Sequence, residues 1–570
     1  MFWSRQRSER LCNWNGRKRS SRGGVPTLPR AWSRPLAARL TIVMLSAALI
    51  AGMLHVNDPP FPHRLNSILP HHFRARVSFE VPNQAYAAQQ VEAMDAVSMQ
   101  EGGSPRVDQY AVGALLVPRD QRIDPPRFVL LLAEHRAYAA SLSLADRLTR
   151  LTSVVVICFA LAIILCVYTS RFQPMLAAST RRVAGVCLLV IVCVGTSLLL
   201  SRPLWDAAII PLTLTAMIMA IVYNPPFALL LSFSISSLLA IGHGSGLGGM
   251  LILSGGSATA ILFIREIRSR SRPVEVSIAA GVAYFMLALA MGMLHDQPAR
   301  LYLVDGLRYC LWSLLAGFIL CGCLPVVERL FGVMTDATLL ELADGSHPLM
   351  QEMVKRAPGS YTHSMTVATL AETAAEAIGA NPLLTRVGSY FHDIGKMLKP
   401  HYFIENQTGE NRHDQLEPAL STLVIMGHVK DGMALATEYR LPRPIIDMIQ
   451  QHHGTTLVEY FYREAKRIQG EAGNAGDLEH AFRYPGPKPR SREAGILMLA
   501  DASESASRAL PVPTANALRK LVHELMMKRL LDGQFDECDL SMVELKRLED
   551  SISRSLIAVF HARIRYKDAS

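Results

Sequence analysis

The sequence predicts a mainly α protein: a polytopic transmembrane helix bundle with a small N-terminal extracytoplasmic domain, then a C-terminal all-α domain. Three observations predict it. Half of the 570 residues are hydrophobic and only 19% are charged, with a mean hydropathy of +0.21, so part of the chain belongs in lipid. The apolar residues before about residue 328 gather into runs of near-spanning length. From Gly345 onward charged, amide and histidine side chains are dense, and apolar residues recur at spacings of three and four, as in Ala371–Ile378 and Ile445–Ile449, the period of amphipathic helices.

Residues 1–35 form a basic arm. The first 39 residues hold ten Arg or Lys against Glu9, a surplus of nine out of a formal net charge of +10. The rest of the chain is nearly neutral. A basic segment directly before an apolar run orients a membrane protein with that end in the cytoplasm, so no nucleic-acid polymer is needed as a partner. Residues 36–56 are long enough to span and lack a small-residue cleavage site, which predicts an uncleaved anchor. Residues 57–147 are a short extracytoplasmic domain in which Arg76–Val81 alternates like a strand and Arg136–Arg150 reads as a helix.

Residues 148–328 contain seven further apolar runs, at about 151–170, 183–201, 205–222, 226–242, 247–264, 276–295 and 309–327. Each approaches the ~20 residues that cross ~30 Å of hydrocarbon. Eight spans in all place both chain ends on one side. The Arg pattern agrees: Arg171, Arg181, Arg182, Arg265, Arg268, Arg270 and Arg272 fall in loops on the side of the basic arm, while the opposite short loops are poorer in basic residues. The span interiors hold almost no ionisable group, which argues against a pump or ion-coupled transporter. A connector, 329–344, leads into the soluble domain, 345–570, which is large enough for its own core.

Seven of the nine cysteines lie in apolar runs and no CxxC pair occurs, so any metal site uses imidazole and carboxylate. The soluble domain supplies both: His363, the pair His392-Asp393, His428, the pair His452-His453, and Asp501. Singly, each histidine reads as an ordinary hydrogen-bonded residue. Together, five imidazoles and two carboxylates on apolar helix faces are costly to bury unless something coordinates them. They are too many for one tetrahedral ion, and imidazole with carboxylate suits Mn, Fe, Co or Zn. Neighbouring helical residues point about 100° apart, so His392 and Asp393 serve one centre only if Asp393 bridges two ions. Two such ions activate a bridging water against a phosphodiester. Lys396, three residues beyond Asp393, reads either as reaching a phosphate oxygen or as a solvated lysine on the helix surface.

This order of residues resembles the binuclear HD-domain phosphohydrolases, and more closely the membrane receptors with a seven-helix bundle and intracellular HD hydrolase, the PgpH-type cyclic di-AMP phosphodiesterases. The supporting segments are Ala357–Ser364, Gly388–Met397, Tyr402–Gln407, His428–Gly432 and Arg483–Pro489. The resemblance runs from the anchor to about residue 560, with an ectodomain shorter than the family's. It implies an HD-superfamily metallohydrolase, in a bacterial inner (cytoplasmic) membrane with both ends cytoplasmic, that hydrolyses cyclic di-AMP to linear pApA with two divalent ions, Mn or Fe. Asp393 and Lys396 would act in catalysis. His363, His392, Asp393 and Asp501 would hold one ion. Asp393, His428 and the His452-His453 pair would hold the other, with the direct ligand of that pair left open.

Tyr484, Lys488 and Arg490 belong to a basic loop that either meets a second phosphate or base of the substrate or is merely solvated. Glu504, one turn after Asp501, reads either as a partner to the metal ligands or as a structural ion pair. Two rival functions exist. A cyclic di-GMP hydrolase would continue from the paired histidines with Glu and then Gly-Tyr-Pro, whereas here His452-His453-Gly454-Thr455 follows. A non-catalytic nucleotide-binding sensor would lack some ligand, whereas all seven positions are filled. A homo-oligomer and a ligand of the ectodomain are compatible with the sequence, which names neither.

Overall fold

The computed structural model describes residues 30–56, 58–82, 107–201, 206–264, 267, 269–469 and 475–561. Most of the basic arm, along with Arg202, Arg265 and Arg268, lies outside them. The chain is mainly helical and divides into two compact units, residues 1–59 with 142–195, and residues 60–141 with 196–570.

In the first unit α1 (Arg30–His55) packs on α3 (Leu144–Phe172), which is followed by a short α4 (Pro174–Ala177) and by α5 (Thr180–Leu200), whose last residues fall beyond the unit. The expected helix over Arg136–Arg150 is two helices. The earlier one, α2 (Pro125–Ser141), belongs to the second unit. Ser143 starts α3 afresh: its side chain accepts from Asp146 N–H while Asp146 accepts from Ser143 N–H. That reciprocal cap satisfies donors that a continuous helix would have bonded internally.

The second unit begins with a small segment built on α2 and, among the described residues, two two-stranded antiparallel sheets. β1 (Phe73–Arg74) pairs with β4 (Leu115–Val117), and β2 (Phe79–Pro82) with β3 (Val107–Tyr110). The strand expected from Arg76 starts only at Phe79. Arg76 is drawn away by Glu134, a buried carboxylate of α2 that accepts from Arg76 N at 2.9 Å and from its guanidinium at 2.8 and 3.0 Å.

Apolar helices follow: α6 (Ile209–Val222), α7 (Pro225–His243), α8 (Gly246–Phe263), α9 (Arg272–Leu294) and α10 (Ala299–Phe331). Among the described residues seven helices, not eight, are long and apolar enough to span: α1, α3, α5 and α7–α10. The expected run 205–222 yields only the 14 residues of α6. Asp206 sits outside it with φ +39, its carboxylate taken by Arg64 at 2.6 Å and Tyr309 Oη at 3.0 Å, so the helix begins after it. Nine of the 14 residues of α6 are buried against protein.

The expected connector is not one element. α10 continues to Phe331 and stops at Gly332, whose φ of +66 suits a residue without Cβ. Buried Glu328 near its end accepts from Thr335 N at 2.8 Å, Thr335 Oγ1 at 2.7 Å and Thr338 Oγ1 at 3.0 Å. This ties α10 to α11 (Asp336–Leu342), while Ala337 N–H donates to Ile267 O at 2.8 Å. Leu339 of α11 enters the same core as Val387, Phe391 and Ile394.

The remaining helices are α12 (Pro348–Arg356), α13 (Pro358–Ile378), α14 (Pro382–Phe391), α15 (Pro418–Glu438), α16 (Arg443–Gln451), α17 (Glu459–Gln469), α18 (Ala475–Ala481), α19 (Arg492–Arg508), α20 (Ala515–Leu531) and α21 (Met542–His561). Two apolar cores hold them. One joins α13, α19, α20 and α21, and the other joins α11–α14 to α16.

Candidate metal centre

Five helices bring the chemistry-bearing residues together. His363 lies in the second turn of α13. The first N–H groups of that helix, which no intrahelical carbonyl can take, are met by Asn406 Oδ1, at 2.9 Å from Gly359 N and 3.2 Å from Ser360 N. His392 ends α14, and Asp393 follows with φ −107 and ψ 13, turning the chain into a 3₁₀ segment, Ile394–Leu398. That turn presses on α15: a Cβ at Gly395 would stand 1.9 Å from His428 O. His428 comes from mid-α15, His452 and His453 directly follow α16, and Asp501 and Glu504 come from α19.

His363, His392, Asp393, His428, His452 and Asp501 are all buried. Asp393 stands at the centre. Its Oδ2 lies 3.5 Å from His363 Nε2 and 3.2 Å from His392 Nε2, and its Oδ1 lies 3.4 Å from His428 Nε2 and 3.7 Å from His452 Nε2. Asp501 Oδ1 is 3.0 Å from His363 Nε2 and 3.8 Å from His392 Nε2. In each of three trios, His363/His392/Asp393, His392/His452/Asp501 and His428/His452/His453, the ligand atoms lie within 4.8 Å of one another. His453 stacks on Tyr484, with ring centroids 4.3 Å apart, and its Nδ1 lies 3.9 Å from Asp501 Oδ2.

The tautomers follow from what lies behind each ring. Nδ1 of His392, His428 and His452 faces the carbonyls of Ser389, Ile425 and Ile449 at 2.7, 2.6 and 2.7 Å, and His363 Nδ1 faces Glu504 Oε2 at 2.5 Å. A carbonyl or carboxylate only accepts, so Nδ1 carries a proton, and a ring that holds no second proton presents its lone pair at Nε2. His428 and His452 then aim lone pairs at each other across 3.2 Å. His392 Nε2 and Asp393 Oδ1 are buried without a hydrogen-bond partner.

Such an arrangement calls for positive charge at its centre. Asp393, Asp501, Glu405 and Glu504 bring four negative charges, against two positive ones that pair with them directly, Lys396 and Arg508. Burial disfavours a charged His392, yet Asp393 and Asp501 outweigh it and push the imidazole up to about 10. Burial and then the neighbouring imidazole of His392 hold His452 down at about 3. The donor set fits divalent metal ions, which supply the charge without a proton.

Lys396 Nζ pairs with Asp393 Oδ2 at 2.7 Å and donates to Glu405 Oε1 at 2.9 Å. Glu405 also accepts from Ser360 Oγ at 2.8 Å, a role that a lone acid in an aperiodic segment did not announce. Glu504 does both things expected of it, since Oε1 accepts from Arg508 Nε at 2.7 Å. Lys488 pairs with Asp536 at 3.2 Å and Arg490 with Glu537 at 3.1 Å, so both cations of the basic loop have acidic partners outside the cluster.

Residues 360–506 match the family described as the HD domain, and residues 148–335 the family described as 7TM receptor with intracellular HD hydrolase. The chain is 33% identical over 514 residues to the cyclic-di-AMP phosphodiesterase PgpH of Listeria monocytogenes serotype 1/2a (strain 10403S), across 87% of this chain and 69% of that protein. It belongs to the 7TM-receptor HD hydrolase family. A second member, the cyclic-di-AMP phosphodiesterase PgpH of Bacillus subtilis (strain 168), is 38% identical over 315 residues, which cover 54% of this chain and 43% of that protein. The crystal structure of the L. monocytogenes PgpH HD domain in complex with cyclic-di-AMP is 44% identical, covers 39% of this chain and 100% of that one, and aligns with a TM-score of 0.36. Membership in this family makes the chain a multi-pass membrane protein with an HD hydrolase domain.

Proposed function

We propose that this protein hydrolyses cyclic di-AMP to linear pApA at a pair of divalent ions held by the cluster around Asp393. The observation that carries the reading is the two-sided environment of Asp393: its two buried oxygens face His363 and His392 on one side and His428 and His452 on the other. Asp501 completes the first group, and His453 stands beside the second. When bound, two such ions polarise a phosphodiester and make water nucleophilic at neutral pH. The histidine and carboxylate donors, without thiolate, suit Mn, Fe, Co or Zn, and among these the family resemblance points to Mn or Fe.

The chain's own residues supply the rest. Backbone carbonyls and Glu504 hold the imidazoles with Nε2 inward. Lys396 has three donors, of which Asp393 and Glu405 engage two, leaving the third for a non-bridging phosphate oxygen. Family membership supports the cyclic di-AMP assignment, since the relatives at 33% and 38% identity are named as phosphodiesterases of that nucleotide. The arginine distribution supports an HD domain in the cytoplasm, with α6 serving as a short eighth crossing, and the bacterial relatives support a bacterial cytoplasmic membrane.

The test uses the full chain in detergent with Mn or Fe, both cyclic dinucleotides, and His392→Ala and Asp393→Ala beside the wild type. Selective loss of cyclic di-AMP, stopped by chelator and by either substitution, is expected. Preference for cyclic di-GMP overturns the substrate, and turnover that survives chelation overturns the metal chemistry.

A further inference from the structure

A cyclic dinucleotide carries two phosphodiesters, and a single reacting centre engages one of them. The other is an anion that must be desolvated at the mouth of the same site, where it needs a cation whose charge is not already matched. Most nearby cations fail that condition. Lys396 is matched by Asp393 and Glu405, Arg483 by Glu479 at 2.7 Å and Asp532 at 3.0 Å, and Arg508 by Glu504 at 2.6 Å. Lys488 and Arg490 are held by Asp536 and Glu537.

Arg529, in the last turn of α20, differs. Among the described residues no carboxylate lies within ion-pair distance of its guanidinium, and its Nε is buried with no hydrogen-bond partner. The fold holds it beside the metal centre. Arg529 O accepts from Gln534 N at 3.0 Å. The Gln534 side chain accepts from Thr455 N at 3.0 Å and donates to Thr455 Oγ1 and to Asp532 Oδ2, each at 2.8 Å. The end of α20 is therefore pinned to the turn that directly follows His452 and His453. Asp532, the nearest acid in sequence, is already engaged by Arg483 and Gln534. The carboxylates that favour its charge are Asp501 of the centre and then Asp532, and Tyr484, which stacks on His453, is also among its neighbours.

We infer that Arg529 binds the second, non-reacting phosphodiester of the cyclic dinucleotide and thereby selects a two-phosphate ring over a simple diester. The inference rests on the proposed phosphodiesterase reading and names a contact in that same site. A guanidinium is suited to it, being always charged and able to give two parallel N–H bonds to a phosphate. Lys488 and Arg490 brace the region after α20, while Arg529, on α20 itself, has no ion-pair partner among the described residues.

The test compares the full-chain wild type with Arg529→Gln and Arg529→Lys for bound Mn, KM and kcat with cyclic di-AMP, and hydrolysis of bis(p-nitrophenyl) phosphate, which has one phosphodiester. Arg529→Gln should raise KM for cyclic di-AMP roughly ten- to a hundredfold at unchanged kcat, with partial recovery in Arg529→Lys. Mn content and hydrolysis of the simple diester should stay at the wild-type level. Unchanged KM, or equal losses on both substrates, or a fall in bound Mn overturns the inference. A wild type that binds cyclic di-AMP without cleaving it sinks the enzymatic reading alone, and the role of Arg529 is then read from the dissociation constant. A wild type that does not bind it sinks both.

Discussion

Glu504 Oε2 stands 2.5 Å from His363 Nδ1, and the far nitrogen of that ring lies 3.0 Å from Asp501 Oδ1. The carboxylate thus fixes both the tautomer and the direction of an imidazole that it reaches from one turn beyond Asp501. Partners of this kind are worth about 10- to 100-fold in metal affinity. Glu504→Gln, which keeps the shape and loses the charge, should weaken Mn binding by that factor in a chelator competition. Unaltered affinity would assign Glu504 to its ion pair with Arg508 alone.

Gly395 supplies the closest approach between the Asp393 turn and α15. A methyl group there would meet His428 O at 1.9 Å and Gly432 N at 2.5 Å, both backbone atoms that do not swing aside. Gly395→Ala should force the turn off α15, with a stability loss of about 1–3 kcal/mol. Separation of Asp393 from His428 should also lower the number of Mn ions bound per chain. Normal stoichiometry measured by elemental analysis would contradict this.

Lys396 and Glu405 form a largely buried pair beside Asp393, with side chains 14% and 12% exposed. Removing one member of such a pair strands the other charge, at about 3–5 kcal/mol. Lys396→Met should lower the thermal unfolding temperature of the HD domain markedly. Adding Glu405→Gln should restore part of the loss, because the stranded carboxylate is then gone. Strictly additive effects of the two substitutions would show that the residues do not interact.

His63, in the segment that precedes α2, packs edge-on against Phe61 and Phe73. Burial first, and then the nearby charges of Arg76 and His135, bring its pKa from 6.5 to about 4, with Glu134 opposing them. Between those values the unfolded segment binds a proton that the folded one excludes, so stability falls as the pH drops from about 6.5 to about 4. The protection of peptides from residues 60–82 and 107–141 against hydrogen exchange, taken relative to the intrinsic rate at each pH, should fall over that window. His63→Gln should remove most of the change, and identical pH profiles would refute the assignment.

The spans were legible because a run of twenty apolar residues has few other uses. The short α6 was the exception, since hydropathy does not register that Asp206 is claimed by Arg64 and Tyr309 from other parts of the chain. Likewise the alternation of Arg76–Val81 was local, whereas the buried Glu134 that diverts Arg76 lies more than fifty residues away. At the metal centre the adjacent pairs His392-Asp393 and His452-His453 stood out, being unusual neighbours at the ends of apolar helical stretches. Arg529 did not, because Lys528-Arg529 at a helix end is the ordinary complement to the helix dipole.

By itself the sequence determined that the chain carries helices long and apolar enough to span a membrane, that it is mainly helical, and which side chains are chemically equipped to hold metal, because each of these depends on residue type and short-range spacing. Tertiary structure alone decided that Asp393 turns one oxygen to each group of imidazoles, that Glu405 and Glu504 support Lys396 and His363, and which cations remain unmatched. Those outcomes depend on distances between residues as far apart as His363 and Asp501, 138 positions along the chain, and such distances are set only when separate helices pack.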